Sequence, residues 1–263
     1  MVNGEFFGGQ SFRVENTEFV SAYGPSTVDR FCVLKSPEQL DFHLDLCRRF
    51  VSGSIVELGI ASGGSTALLA LLARPSKLVA VDLNESPVAA LQELIEREQL
   101  EERVRPLYGV DQADGEQLIS IVSEEFGDVP LDLVIDDASH LLPPTTAAFQ
   151  TLFPLLRPGG LYVIEDWNST HILAEGIGGP THDGVRVPTP LSPLLMELLL
   201  VRATSGAIVS ELAIGNLWAT IERGPAELDP RSFRVRDHYR DHFGLVGSTW
   251  QEDAEISRGG GPA

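Results

Sequence analysis

The chain reads as short apolar runs separated by amphipathic stretches. "SIVELG" (54–59), "KLVAVDL" (77–83), "RVRPLYG" (103–109), "LDLVID" (131–136) and "GLYVIE" (160–165) are brief, apolar and bounded by turn residues, which predicts β-strands. Between them, "GSTALLALLA" (64–73), "SPVAALQELIEREQL" (86–100), "GEQLISIVSEEF" (115–126) and "TTAAFQTLFPLL" (145–156) repeat apolar positions three and four apart, which predicts helices. A further helix is expected over 36–51. Ser36 stands as its N-cap, Pro37 at its first helical position, and Gln39 closes a capping box. Ser86-Pro87 predicts the same kind of start for 86–100, and Gly127 ends 115–126. After a helix over 191–205, "AIVSELAIGNLWATIERG" (207–224) reads as two strands about a turn at Gly215-Asn216.

Strands that are apolar at nearly every position are covered on both faces. Their alternation with helices predicts an α/β fold: a doubly wound (Rossmann-like), mostly parallel seven-stranded sheet closed by a C-terminal antiparallel hairpin. Three segments fall outside this pattern. Residues 1–35 show no clear period and are expected to form an N-terminal arm or lid. Residues 167–190 read as a long irregular loop, a kind of segment that is often functional. The chain from 225 to 263 is a charged tail whose end, "RGGGPA", is expected to be disordered. The central domain then spans 36–224.

Composition narrows the function. A chain of 263 residues with 43% hydrophobic content can bury a substantial core. Lys plus Arg number 19 against 38 for Asp plus Glu, a formal charge of −19, which argues against nucleic acid or an acidic membrane as partner. Cys32 and Cys47 lack metal-type spacing and are expected to be free and structural. "MVNGEFFGGQSF" does not read as a signal peptide, and "LSPLLMELLLV" is too short to span a membrane. A reduced, cytoplasmic setting is expected, with self-association into a homo-oligomer.

"VELGIASGGST" (56–66) joins the first central strand to its helix. Its glycines let a ligand approach the backbone, and the helix start offers free N–H groups. The spacing is G-x-x-x-G-G, which disfavours a nicotinamide oxidoreductase. Gly59, Ala61, Ser62, Gly63 and Ser65 are the candidate loop contacts, with Glu57 just before them inside the strand. Asp82 ends the next strand, where a carboxylate can take two ribose hydroxyls. Loop and Asp82 together point to an adenosine-containing ligand, the plainer alternative being a tight turn and a strand-end acid. These features resemble the class I S-adenosylmethionine-dependent methyltransferases, whose acidic strand positions match Glu57 and Asp82 and whose terminal hairpin matches 207–224. The resemblance makes 36–224 the methyltransferase domain and places Asp111 and Gln112 of "GVDQAD" near the adenine, with Asp114 a candidate helix cap.

Two acidic pairs end successive strands: Asp136-Asp137 in "VIDDASH" and Glu165-Asp166 in "YVIEDW". If the strands are neighbours, four carboxylates converge and raise one another's pKa values, a conflict that a hard divalent cation relieves. His140, three residues beyond Asp137, is placed to take a proton from a hydroxyl made more acidic by a metal. "IDDASH" followed by "FQTLFPLLRPGGLYVIEDW" resembles the metal-dependent sugar O-methyltransferases of macrolide biosynthesis and, beside them, the cephalosporin hydroxylase family. That resemblance implies Mg²⁺ or another divalent cation on Asp137, Glu165 and Asp166, and His140 as base. Asp136 then stands on the cofactor side or behind the ligands.

The expected reaction is methyl transfer from S-adenosylmethionine to a hydroxyl of a small molecule, a natural-product sugar or polyol. A catechol-type phenolic methyltransferase, a hydroxylase-like accessory protein and a non-catalytic adenosine-binding protein stay open. His238 and His242 share a helix face if "DHYRDHF" is helical, but no third ligand accompanies them. His171, His182 and Trp167 could face a substrate or simply pack.

Overall fold

The computed structural model describes residues 9–182 and 185–246, so "RGGGPA" lies outside the described residues. The chain begins with β1 (Ser11–Val14), β2 (Thr17–Ser21) and β3 (Arg30–Val33), a small three-stranded sheet, and enters α1 (Pro37–Arg49). A regular alternation follows: β4 (Ser54–Leu58), α2 (Gly64–Leu72), β5 (Lys77–Asp82), α3 (Ala89–Arg97), β6 (Val104–Tyr108), α4 (Gly115–Phe126), β7 (Leu131–Asp136), α5 (Leu142–Leu152) and β8 (Leu156–Glu165). Next come α6 (Ser169–Gly176), the short pair β9 (Thr181–His182) and β10 (Val185–Arg186), α7 (Ser192–Thr204), and the hairpin β11 (Val209–Ile214) and β12 (Trp218–Arg223).

The large sheet has seven strands in the order β11-β12-β8-β7-β4-β5-β6. β8, β7, β4, β5 and β6 run parallel, and β12 and β11 are added antiparallel. The order reverses at β4, which pairs with both β5 and β7, so the carboxyl ends of these strands border the crevice in which such sheets bind ligands. Side chains alternate between faces: Ile55 and Leu133 enter one core, Val56 and Val134 the other.

Several expectations need correction. Within 9–35, where no period was read, Phe12, Phe19 and Phe31 stack at 5.6 and 5.9 Å and Phe19, Phe31 and Val33 join one of the two cores. Ser86 does not cap α3, which begins at Ala89; Ser86 N–H donates to Asn84 Oδ1, and Val88 N–H finds the Tyr108 hydroxyl. α5 begins at Leu142, with Pro143 in its first turn, and passes through a 3₁₀ turn (Phe153–Leu155) into β8. Within 167–190, expected to be an irregular loop, the chain forms α6 and pairs β9 with β10. The start of the charged tail also packs, burying Phe233 and Val235. Both cysteines are free and buried.

Candidate active site and metal centre

The loop after β4 is shaped by what crosses it. Gly59 has φ +99, and a Cβ there would stand 2.2 Å from the Asp137 carbonyl oxygen. Only glycine lets the β4 and β7 loops touch, and Asp137 N–H donates to Leu58 O in the same contact. A Cβ on Gly64 would meet the Cys32 carbonyl at 2.1 Å, so the start of α2 is pinned beneath β3. Ser62 Oγ donates to that same carbonyl, so it faces the N-terminal sheet. Gly63 takes φ +80 as the N-cap of α2, and Ser65 lies half-buried in its first turn.

A cleft of about 440 Å³ opens over this loop, lined by Gly59, Ala61, Asp82, Asp111, Gln112 and Asp137 among others. Asp82 Oδ2 accepts from the N–H groups of Ile60 and Ala61, and Oδ1 from Asn84 N–H. Its carboxylate braces the loop while keeping a side in the cleft. Asp111 Oδ1 accepts from Ala113 N–H, and Asp114 caps α4 through Gln117 N–H. Glu57 does not face the cleft. It is buried in β4, accepts a 2.6 Å hydrogen bond from Thr66 Oγ1, and burial pushes its carboxyl up to about 7.

The four edge carboxylates do not converge as a set. Asp136 is buried behind the edge, accepting from Tyr162 Oη at 3.0 Å and Gln112 Nε2 at 3.3 Å, and burial raises its pKa to about 7. Gln112 Oε1 in turn accepts from Ser139 N–H. Asp136 and Gln112 thus hold the shape of the "DDASH" loop. Glu165 is also buried, and its Oε2 accepts from Lys35 Nζ at 2.5 Å. The same ammonium donates to Asp137 Oδ2 at 2.9 Å. Lys35 therefore relieves much of the repulsion expected to require a metal. Burial opposes its charge, but Asp137 and Glu165 outweigh this and hold its pKa above the ordinary lysine range. Burial also opposes the charge on Glu165, yet Lys35 and His43 together keep its carboxyl below the usual value. For Asp137 burial wins, and its pKa is raised.

The remaining groups gather at the mouth. Asp137, His140 and Asp166 each offer a ligand atom within 4.8 Å of the others, the one such group among the described residues. His140 Nε2 lies 3.9 Å from Asp137 Oδ1. Two carboxylates and an imidazole suit a divalent cation that keeps sites for water or substrate. His140 and Asp166 both have positive φ, +53 and +49, as does Ala61 of the neighbouring loop at +47. Such conformations in non-glycine residues cluster where a surrounding structure holds a functional geometry.

α1 supplies what the sequence reading missed. Gln39 closes the capping box and also donates from Nε2 to Asp166 Oδ1 at 2.8 Å. Lys35, Gln39 and His43 recur every four residues, so one edge of α1 and its lead-in faces the acids, and all three are buried. That run of polar residues on an inward face was the available signal. Away from the site, Trp167 Nε1 donates to Gly215 O and His171 bonds Ser192 Oγ, so both anchor neighbouring segments. His182 sits on β9. His238 ends a 3₁₀ turn and stacks on Phe233 at 5.0 Å, so it shares no helix face with His242.

Residues 56–167 match the family model described as a methyltransferase domain. The match covers less than half of the chain. The matched residues include the glycine loop, "IDDASH" and the Glu165-Asp166 pair. Mycinamicin VI 2''-O-methyltransferase of Micromonospora griseorubida is 47% identical over 64 residues, 24% of this chain and 15% of that protein. The 8-demethyl-8-(2-methoxy-alpha-L-rhamnosyl)-tetracenomycin-C 3'-O-methyltransferase of Streptomyces olivaceus is 44% identical over 80 residues, 30% and 19% of the two chains. A solved structure of MycE methyltransferase from the mycinamycin biosynthetic pathway, in complex with Mg and SAH, is similar at a TM-score of 0.50 and 26% identity, over 71% of this chain and 49% of that one. The matches span at most about half the length of these relatives. Among the described residues, no helix is long and apolar enough to cross a membrane.

Proposed function

We propose that this protein is a divalent-cation-dependent O-methyltransferase that moves a methyl group from S-adenosylmethionine to a hydroxyl on the sugar of a small natural product. The observation that carries the reading is the adjacency of two sites. Asp137 lines the cleft over the glycine loop and also belongs to the Asp137–His140–Asp166 group. A methyl donor in that cleft and a hydroxyl at that group would share one wall. The sugar O-methyltransferase activities of the relatives and the Mg and SAH of the MycE complex favour the same assignment.

A bound divalent cation would acidify a hydroxyl brought to it and fix its position. Asp137 and Asp166 are the carboxylates best placed to hold that ion. His140 Nε2 accepts the hydroxyl proton, the acceptor oxygen attacks the methyl carbon in line, and the carbon–sulfur bond breaks to leave S-adenosylhomocysteine. The oxygen gains the methyl group, and the sulfonium keeps the bonding pair. Asp82 and the loop amides orient the donor, so positioning supplies much of the rate enhancement. The test is calorimetric titration with S-adenosylhomocysteine and Mg²⁺, followed by a screen of glycosylated and phenolic acceptors. Binding of both ligands and methylation of a glycosylated acceptor are expected. Cofactor binding with no methylation across the screen would favour a binding protein instead.

A further inference from the structure

The resemblance that suggests a metal also implies that Glu165 is one of its ligands, and here the geometry departs from it. Glu165 Oε2 is held by Lys35 Nζ at 2.5 Å, with both side chains 2% exposed. Glu165 Oε1 is buried without a hydrogen-bond partner, 3.8 Å from His43 Nδ1. Asp137 is divided: Oδ2 takes Lys35 at 2.9 Å, and Oδ1 turns toward His140. Asp166 is steadied from the other side by Gln39.

We propose that Lys35 is a positioning residue that withdraws Glu165 from the cation site and fixes Asp137 within it, so that Asp137 and Asp166 hold the divalent cation without Glu165. This rests on the cation-dependent reading above. An ion that took Glu165 Oε2 would have to displace the ammonium from its shorter contact and leave it buried with Asp137 Oδ2 as its one carboxylate, beside a second positive charge, which is unfavourable. Mg²⁺ needs only one or two protein carboxylates when water and substrate complete its shell. The proposal also gives the segment before α1 a role at the site, since Lys35 lies two residues beyond β3 and its carbonyl accepts from Ser21 Oγ at 2.6 Å.

Mn²⁺ binding to the full chain, followed by electron paramagnetic resonance without acceptor, reads the proposal independently of turnover. Asp166→Asn is expected to weaken Mn²⁺ binding at least tenfold, and Glu165→Gln to change it less than threefold. Lys35→Met removes a buried positive charge and frees Glu165, so it is expected to tighten binding at least threefold, an effect that mere loss of packing would not produce. A threefold or greater loss in Glu165→Gln, or a gain below threefold in Lys35→Met, overturns the proposal. Should either single variant fail to fold, Lys35→Met/Glu165→Gln removes both charges together. It is expected to bind within threefold of the native chain, and a larger loss overturns the proposal. A native chain that binds no Mn²⁺, or an Asp166→Asn variant that binds as the native chain does, overturns the cation reading itself.

Discussion

His140 and Glu57 illustrate how differently two titratable side chains serve one domain. His140 stands partly open at the mouth of the cleft, beside Asp137 and Asp166. Replacing it with Ala would remove the proposed base and leave the cleft intact. His140→Ala is therefore expected to lower kcat by roughly 10²–10⁴ while S-adenosylhomocysteine affinity stays nearly unchanged, as steady-state kinetics and calorimetry would show. Glu57 is sealed in β4, and burial raises its carboxyl to about 7. Its folded-state pKa lies above the unfolded one, so its contribution to stability is full at low pH and is lost as pH rises through 7. Glu57→Gln removes that titration. Its stability relative to the native chain should rise by about 3 kcal/mol between pH 4.5 and pH 8, measured by urea unfolding at both. A constant difference would show that burial does not raise the Glu57 pKa. The acids at the strand ends were legible as residues, but their division of labour was not. Asp136 and Asp137 are neighbours in sequence with opposite surroundings, and only the positions of Tyr162, Gln112 and Lys35 separate them.

At the scale of elements, caps and strand boundaries that depend on local chemistry were legible. The Ser36–Gln39 capping box forms as read, with Ser36 Oγ accepting from Gln39 N–H and Gln39 Oε1 from Ser36 N–H. Ser36→Ala is expected to cost about 1 kcal/mol of stability in denaturant unfolding. Because Gln39 also holds Asp166, Gln39→Ala should in addition weaken Mn²⁺ binding, and an unchanged affinity would confine Gln39 to the cap. The Ser86-Pro87 start failed for a tertiary reason, since the Tyr108 hydroxyl supplied a partner that moved the first turn of α3 three residues on. The order within 9–35 was hidden because its strands are only four or five residues long and their aromatic residues stack across strands, Phe12 on Phe19 and Phe19 on Phe31.

Across the whole molecule, the parallel sheet, its terminal hairpin and the crevice at β4 followed from apolar runs and their spacing. The link between the N-terminal sheet and the site did not, because it depends on contacts between residues more than 100 positions apart, Lys35 with Asp137 and Glu165. The same distance makes the glycines of the β4 loop structural: Gly59→Ala would drive its methyl into the Asp137 carbonyl. That variant is expected to lose cofactor binding and several degrees of thermal stability together, as calorimetry and thermal unfolding would report. Cation-dependent methyl transfer is tested by following labelled methyl from S-adenosylmethionine to glycosylated acceptors, with Mg²⁺, with a chelator, and with Mg²⁺ restored. The expected result is transfer that the chelator abolishes and Mg²⁺ restores; transfer that persists undiminished in the chelator would contradict the cation-dependent reaction.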